Sequence, residues 1–99
     1  MNHKKVLEEA LKIVDERGED YGTVAENFAG IAAIFSKATT KTLTPNEIAI
    51  LFAATKLSRM KESPKKLDHY VDAINYLAFA AELASSEPPL DESEESDFA

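Results

Sequence analysis

The chain carries three glycines (Gly18, Gly22, Gly30) and four prolines (Pro45, Pro64, Pro88, Pro89) in 99 residues. The residues that end or break helices are therefore confined to a few points. The stretches between them carry apolar side chains at intervals of three and four, and none shows the two-residue alternation of a half-buried strand. This punctuation predicts an all-α fold, a small four-helix bundle with short loops and a C-terminal tail.

The first window runs from about Asn2 to Arg17, with Leu7, Leu11 and Val14 on one stripe and Val6, Ala10 and Ile13 widening it. Gly18 reads as its C-cap, because glycine enters the left-handed region at little cost, and Glu19 to Gly22 read as a turn. Thr23 caps the second helix and Glu26, three residues on, completes a capping box. Val24, Phe28, Ile31 and Phe35 then repeat at helical period. Gly30 within that stripe costs about 1 kcal/mol of propensity, and the helix fades between Lys37 and Lys41. Thr44-Pro45-Asn46-Glu47 is the strongest start signal in the chain: a capping threonine, proline at the first helical position, glutamate at the third. The run Ile48 to Ala54 behind it is apolar on every side, as in a helix buried in a bundle or at an interface. Ser63-Pro64 starts the fourth helix by the same logic. Its main apolar face is Leu67, Tyr70, Val71, Ile74, Leu77, Ala78 and Ala81, and it ends near Ala84. Residues 1–85 form the helical domain, and 86–99, rich in Pro, Ser and acids, form a disordered tail.

The length suits one small domain and excludes a TIM barrel or a full dinucleotide-binding fold. Alone, a domain of this size is only marginally stable, so a homo-oligomer is expected. Eleven Lys and Arg stand against 18 Asp and Glu. Six of those acids lie between Ser86 and Ala99 with no base among them, so the helical part is nearly neutral. DNA binding, which needs a clustered basic face, is not expected. No run is long and apolar enough to span a membrane, and Glu8, Glu9, Lys12 and Asp15 interrupt what would be a signal peptide's apolar region. The chain has no cysteine, which excludes disulfides and thiolate metal sites and fits a reducing, cytoplasmic location.

Several polar residues need an explanation. Asp68, Asp72, Asn75 and Glu82 share one side of the fourth helix, either as a solvated stripe or as a site in which Asp68 and Asp72 hold a divalent cation. Magnesium takes one or two protein carboxylates and leaves the rest to water and phosphate. Lys56 and Arg59, at the end of the third helix, either reach phosphate oxygens or pair with Asp68 or Asp72 across the hairpin. Asn75, among apolar neighbours, needs a partner if buried. In the string Arg17-Gly18-Glu19-Asp20-Tyr21-Gly22, Tyr21 either stacks on a base or closes the core. Asn27 either reads a base edge or satisfies the loop backbone. His3 and His69 read as surface residues. No Ser/His/Asp arrangement, zinc set or Gly-rich phosphate loop is present.

Taken in order, the Arg17–Gly22 string, Glu26-Asn27-Phe28, Ile31-Ala32, Lys56-Leu57-Ser58-Arg59 and the segment Asp68 to Tyr76 resemble a family of small phage and prophage proteins with an RG-x-DYG motif. The resemblance covers residues 15–84. Its closing helix is similar to the last metal-binding helix of MazG-like nucleotide pyrophosphohydrolases. These all-α, usually oligomeric enzymes bind magnesium through E-x-x-E and E-x-x-D pairs and cleave nucleoside triphosphates. Asp68 and Asp72 stand one residue further apart than the second pair, and the second helix offers Glu26 without a second acid a turn later.

The resemblance implies a magnesium-dependent phosphohydrolase. Asp68 and Asp72 would hold the metal, Glu19 and Asp20 would complete its shell or orient water, and Lys56 and Arg59 would neutralise phosphate. Tyr21, Asn27, Asn75 and Tyr76 would complete the nucleotide site. One alternative is a binder that sequesters a nucleotide or second messenger intact in the host cytoplasm. Another is a protein-interaction module that uses the acidic tail.

Overall fold

In the computed structural model, residues 1–86 are described, apart from the side chains of Glu19, Asp20, Tyr21 and Ser86. The expected tail beyond Ser86 lies outside them. The described residues form four helices and no strand: α1 (His3–Tyr21), α2 (Val24–Thr39), α3 (Pro45–Glu62) and α4 (Leu67–Ser86).

Local chemistry sets most of the boundaries. Asn2 caps α1 by accepting the Lys5 amide at 2.9 Å. The Thr23 hydroxyl accepts the Glu26 amide and donates to the Glu26 carboxylate at 3.0 Å. Glu26 thus bonds the capping hydroxyl, not the cap's backbone N–H as a full capping box requires. That box is complete at α3, where Thr44 accepts the Glu47 amide and Glu47 accepts the Thr44 amide, with Pro45 in the first turn. Thr40 ends α2 in the left-handed region, its N–H returned to the Ser36 carbonyl.

Two expected boundaries move. α1 does not stop at Gly18; it continues through Tyr21 and ends at Gly22, whose φ is +75°. Gly18 stays within the helix at a cost of about 1 kcal/mol, and it is Gly22 that takes the positive φ, which glycine adopts without a Cβ clash. α4 does not begin at Ser63-Pro64. Ser63 instead closes α3, with its N–H on the Arg59 carbonyl, and Pro64 and Lys65 form a turn. The Tyr70 hydroxyl donates to the Pro64 carbonyl at 2.7 Å and ties that turn to the first turns of α4.

The short loop between α3 and α4 makes them antiparallel neighbours, the most extensively packed pair in the fold. The Asn46 amide donates to the Ala80 carbonyl at 2.7 Å at one end of this hairpin, and Lys56 meets Asp72 nearer the other. α1 lies along α4, and α2 packs mainly against α3. The core gathers where α2, α3 and α4 meet. Phe28, 2% exposed, packs with Ile48, Ala49, Ala80 and Leu83, and Phe52 and Phe79 lie beside it at ring-centroid distances of 5.8 and 6.0 Å.

α4 is turned relative to the expected face. Val71 is buried as anticipated, but so are Ala73, Asn75, Ala80 and Leu83, while Leu77 is half exposed and Ala81 lies outside. The apolar run Ile48 to Ala54 of α3 is only half covered: Ile48, Ala49 and Ala53 are buried, whereas Ile50, Leu51 and Ala54, and Leu57 beyond them, face outward. No helix among the described residues is long and apolar enough to cross a membrane.

Candidate functional site

The last turn of α1, the Gly22–Thr23 junction and the first turns of α2 stand over the inner faces of α3 and α4. Between them lies a cleft of about 310 Å³. α1 contributes Ile13, Val14 and Arg17, α2 contributes Val24, Asn27 and Phe28, α3 contributes Phe52, and α4 contributes Asp72, Asn75, Tyr76 and Phe79. Its volume lies at the lower end of small-molecule pockets, and its mostly apolar wall with a few convergent polar groups has their usual composition.

The polar groups are held by specific bonds. The Asp72 Oδ2 atom is 3.1 Å from Lys56 Nζ, and both side chains are largely buried, at 18% and 17% exposure. Asp72 Oδ1 is 4.0 Å from an Arg17 guanidinium nitrogen. Arg17 is 61% exposed and is the cation lining the cleft among the described residues. Asn75, 8% exposed, donates from Nδ2 to the Ala10 carbonyl at 3.1 Å. That bond joins α1 to α4. Tyr76 meets Phe52 edge to face, with centroids 5.3 Å apart, and Phe79 at 6.2 Å. The rings of the aromatic wall therefore pack against one another.

The structure thus brings Asn27, Asp72, Asn75 and Tyr76 to one cavity and sets Lys56 behind it as the counterion of Asp72. It keeps Asp68 and Arg59 away: both are exposed and neither lines the cleft. The side chains of Glu19, Asp20 and Tyr21 lie outside the described residues. The stripe of Asp68, Asp72, Asn75 and Glu82 divides, with its two middle members turned inward and Asp68 and Glu82 on the surface. His69 is half-buried, not on the surface as expected, and its Nδ1 atom is enclosed without a hydrogen-bond partner.

Among the described residues, these donors are not arranged as a magnesium centre. A metal ligand needs carboxylate oxygens aimed at a shared point with coordination positions to spare. The oxygens of Asp72 are instead directed at an ammonium and a guanidinium, and Asp68, four residues away, is exposed. Among the described residues no group of three or more His, Cys, Asp or Glu side chains converges in a way that could hold an ion.

Sequence reasoning missed Phe28, Phe52 and Phe79 as parts of the wall, because each sits on an apolar stripe and reads as core. It passed over Arg17 as an individual residue. The available signal was its place one turn before a helix-ending glycine, where a long cation can reach back over the preceding surface.

Residues 5–84 match the family described as "Domain of unknown function (DUF6378)". The Gene 55 protein of Mycobacterium phage D29 is 32% identical over 74 residues, 74% of this chain and 49% of that protein, so the chain spans about half the length of this relative. No solved structure matches the chain. The likeness to a phage-type family read from the motifs holds at that level, and the matched segment contains every described residue of the cleft. The chain belongs to the DUF6378 family.

Proposed function

We propose that this protein binds a nucleotide, or a small molecule derived from one, in the cleft between the α1–α2 junction and the α3–α4 hairpin, and holds it without cleaving it. One observation carries this reading: a single cavity joins an aromatic wall (Phe28, Phe52, Tyr76, Phe79), two amides (Asn27, Asn75) and one outward-reaching cation, Arg17. A base would lie against Tyr76 and its neighbours, where stacking contributes about 1–3 kcal/mol. Asn75 would accept a hydrogen bond from an amino or imino group through Oδ1. Asn27 at the rim would read a second edge, and Arg17 would swing from Asp72 to meet a phosphate, because guanidinium suits that geometry.

The same charges disfavour cleavage. Lys56 is spent on Asp72, and Asp72 is spent on its two cations, so among the described residues neither a metal-ligand pair nor a spare base faces the cavity. A magnesium-dependent, MazG-like hydrolysis would require Asp72 to exchange Lys56 for the metal, with Asp68, Glu19 and Asp20 drawn into the same shell. Arg59, exposed and outside the cleft, would add only long-range attraction for phosphate, and Glu19, Asp20 and Tyr21, whose side chains lie outside the described residues, carry no part of the proposal.

The test is a thermal-shift panel of nucleosides, mono-, di- and triphosphates and cyclic dinucleotides, with and without magnesium, followed by chromatography of any stabilising compound. A ligand that binds the folded state raises the melting temperature by mass action. Expected is a shift that survives chelation of magnesium, is lost in Tyr76→Ala and Arg17→Ala, and returns the compound intact. A cleaved product that appears only with magnesium and disappears in Asp72→Asn would replace this reading with hydrolysis. No shift with any member would remove the nucleotide.

A further inference from the structure

The outward arc of α3 has a pattern that the cleft does not use. Glu47, Leu51, Ala54, Ser58 and Lys61 are all exposed and alternate in steps of four and three, the spacing of a coiled-coil seam. Ile50 and Leu57 flank the centre. Ile50, Leu51 and Leu57 are 48%, 47% and 53% exposed, on a stretch with no charge from Ile48 to Thr55. We infer that a second copy of this chain covers this arc, the two α3 helices running antiparallel across a two-fold axis at Ala54.

The argument is one of self-complementarity. A two-fold interface brings the same patch together from both sides, so each position must suit its own mirror position. With Ala54 on the axis and the helices antiparallel, Ile50 faces the partner's Leu57 on one flank, Leu51 faces the partner's Ser58 on the other, and Glu47 faces the partner's Lys61. The acidic end of each arc meets the basic end of the other, twice. A parallel pair would set Glu47 against the partner's Glu47 and Lys61 against the partner's Lys61, and like charges at such positions are repulsive. Glu47 retains an oxygen for this contact, since the α3 cap uses only Oε1. The smallest side chain of the arc falls at the crossing point, where two helix axes approach to about 8–10 Å. From Glu47 to Lys61 the seam runs about 21 Å at 1.5 Å per residue, with an apolar centre and a charged rim as in specific interfaces. The arc lies on the opposite side of α3 from Ile48, Ala49 and Ala53, so pairing here leaves the cleft open and is independent of what the cleft binds.

The chain has no cysteine, so Ala54→Cys introduces a single reporter on the axis. Under mild oxidation of the full chain, A54C is expected to form a disulfide dimer rapidly, whereas L77C on the outer face of α4 stays monomeric on the same gel. Sedimentation equilibrium of the native sequence at high micromolar concentration is expected to give a dimer. Leu57→Glu should give a monomer with an unchanged helical circular dichroism spectrum. Lys61→Glu should weaken association about tenfold or more through like-charge contact with the partner's Glu47. Adding Glu47→Lys should restore it. A monomeric native chain, a dimer that cross-links as readily at Leu77 as at Ala54, or a dimer indifferent to Leu57→Glu would each overturn the proposal.

Discussion

Replacing Lys56 by methionine tests how the two halves of the cleft are held together. The ammonium stands 3.1 Å from Asp72 in a site where both side chains are more than four-fifths buried. At that distance, with an effective dielectric constant of about 20, the gross attraction is about 5 kcal/mol. Desolvation of both ions cancels most of it, so the pair adds little net stability. Breaking it is a different matter: methionine fills the same space and leaves Asp72 buried with only the distant, exposed Arg17 for company, at a cost of about 3 kcal/mol. Asp72→Asn should cost a similar amount by stranding the ammonium. In urea unfolding followed at 222 nm, with a slope of about 1 kcal/mol per molar for a domain of this size, either change should lower the midpoint by about 3 M. The double variant Lys56→Met with Asp72→Asn removes both charges and should cost about 1 kcal/mol, far less than the sum of the singles. Arg17→Ala should stay within about 0.5 kcal/mol, as an exposed partner at 4.0 Å does. Strictly additive singles, or singles that leave the midpoint unmoved, would refute the claim that this pair is a desolvated, mutually dependent unit.

Other changes probe other links of the chain. Gly18→Ala should raise stability by about 0.5–1 kcal/mol, since an added methyl meets nothing within 4 Å and alanine favours a helix interior. Gly22→Ala at φ +75° should lower it by about 1 kcal/mol or more, and thermal melts that reverse this order would return the end of α1 to Gly18. Phe28→Ala should cost about 3–5 kcal/mol by opening a cavity between Phe52 and Phe79, visible as a lowered melting temperature and weakened near-ultraviolet dichroism. Thr44→Ala removes the acceptor of the α3 capping box and should cost about 1 kcal/mol, measured by the same melts.

Helix count and class were legible because glycine, proline and capping residues act locally. Thr23 and Thr44 announce helix starts through bonds to residues three positions on, which any sequence window contains. The extension of α1 past Gly18 was not legible, because two glycines four residues apart offer equally good ends and only the backbone angle decides between them. The rotation of α4 escaped for a related reason. Ala73, Tyr76, Phe79, Ala80 and Leu83 on one side and Tyr70, Leu77, Ala78 and Ala81 on the other are both apolar, so periodicity has no preference. Long-range bonds break the tie: Asn75 to Ala10 and Asp72 to Lys56 turn the polar stripe inward. In the cleft, Asp72, Asn75 and Tyr76 stood out from the sequence because polar or amphipathic groups beside apolar ones need partners. The pairing of Lys56 was readable only as one of two choices, since helical spacing alone does not distinguish Asp68 from Asp72.

The unequal packing of the helices also sets an order of assembly. α3 and α4 are joined by a short loop and share the most extensive interface, so they can associate at small loop-closure cost, as chains with local contacts do when they fold fast. α1 rests chiefly on α4, and its bond from Ala10 to Asn75 spans 65 positions of the chain. It therefore docks after the hairpin exists. The cavity has walls from α1, α2 and the hairpin, so it is complete only when both outer helices have docked, and any compound that occupies it favours that closed assembly over its open forms.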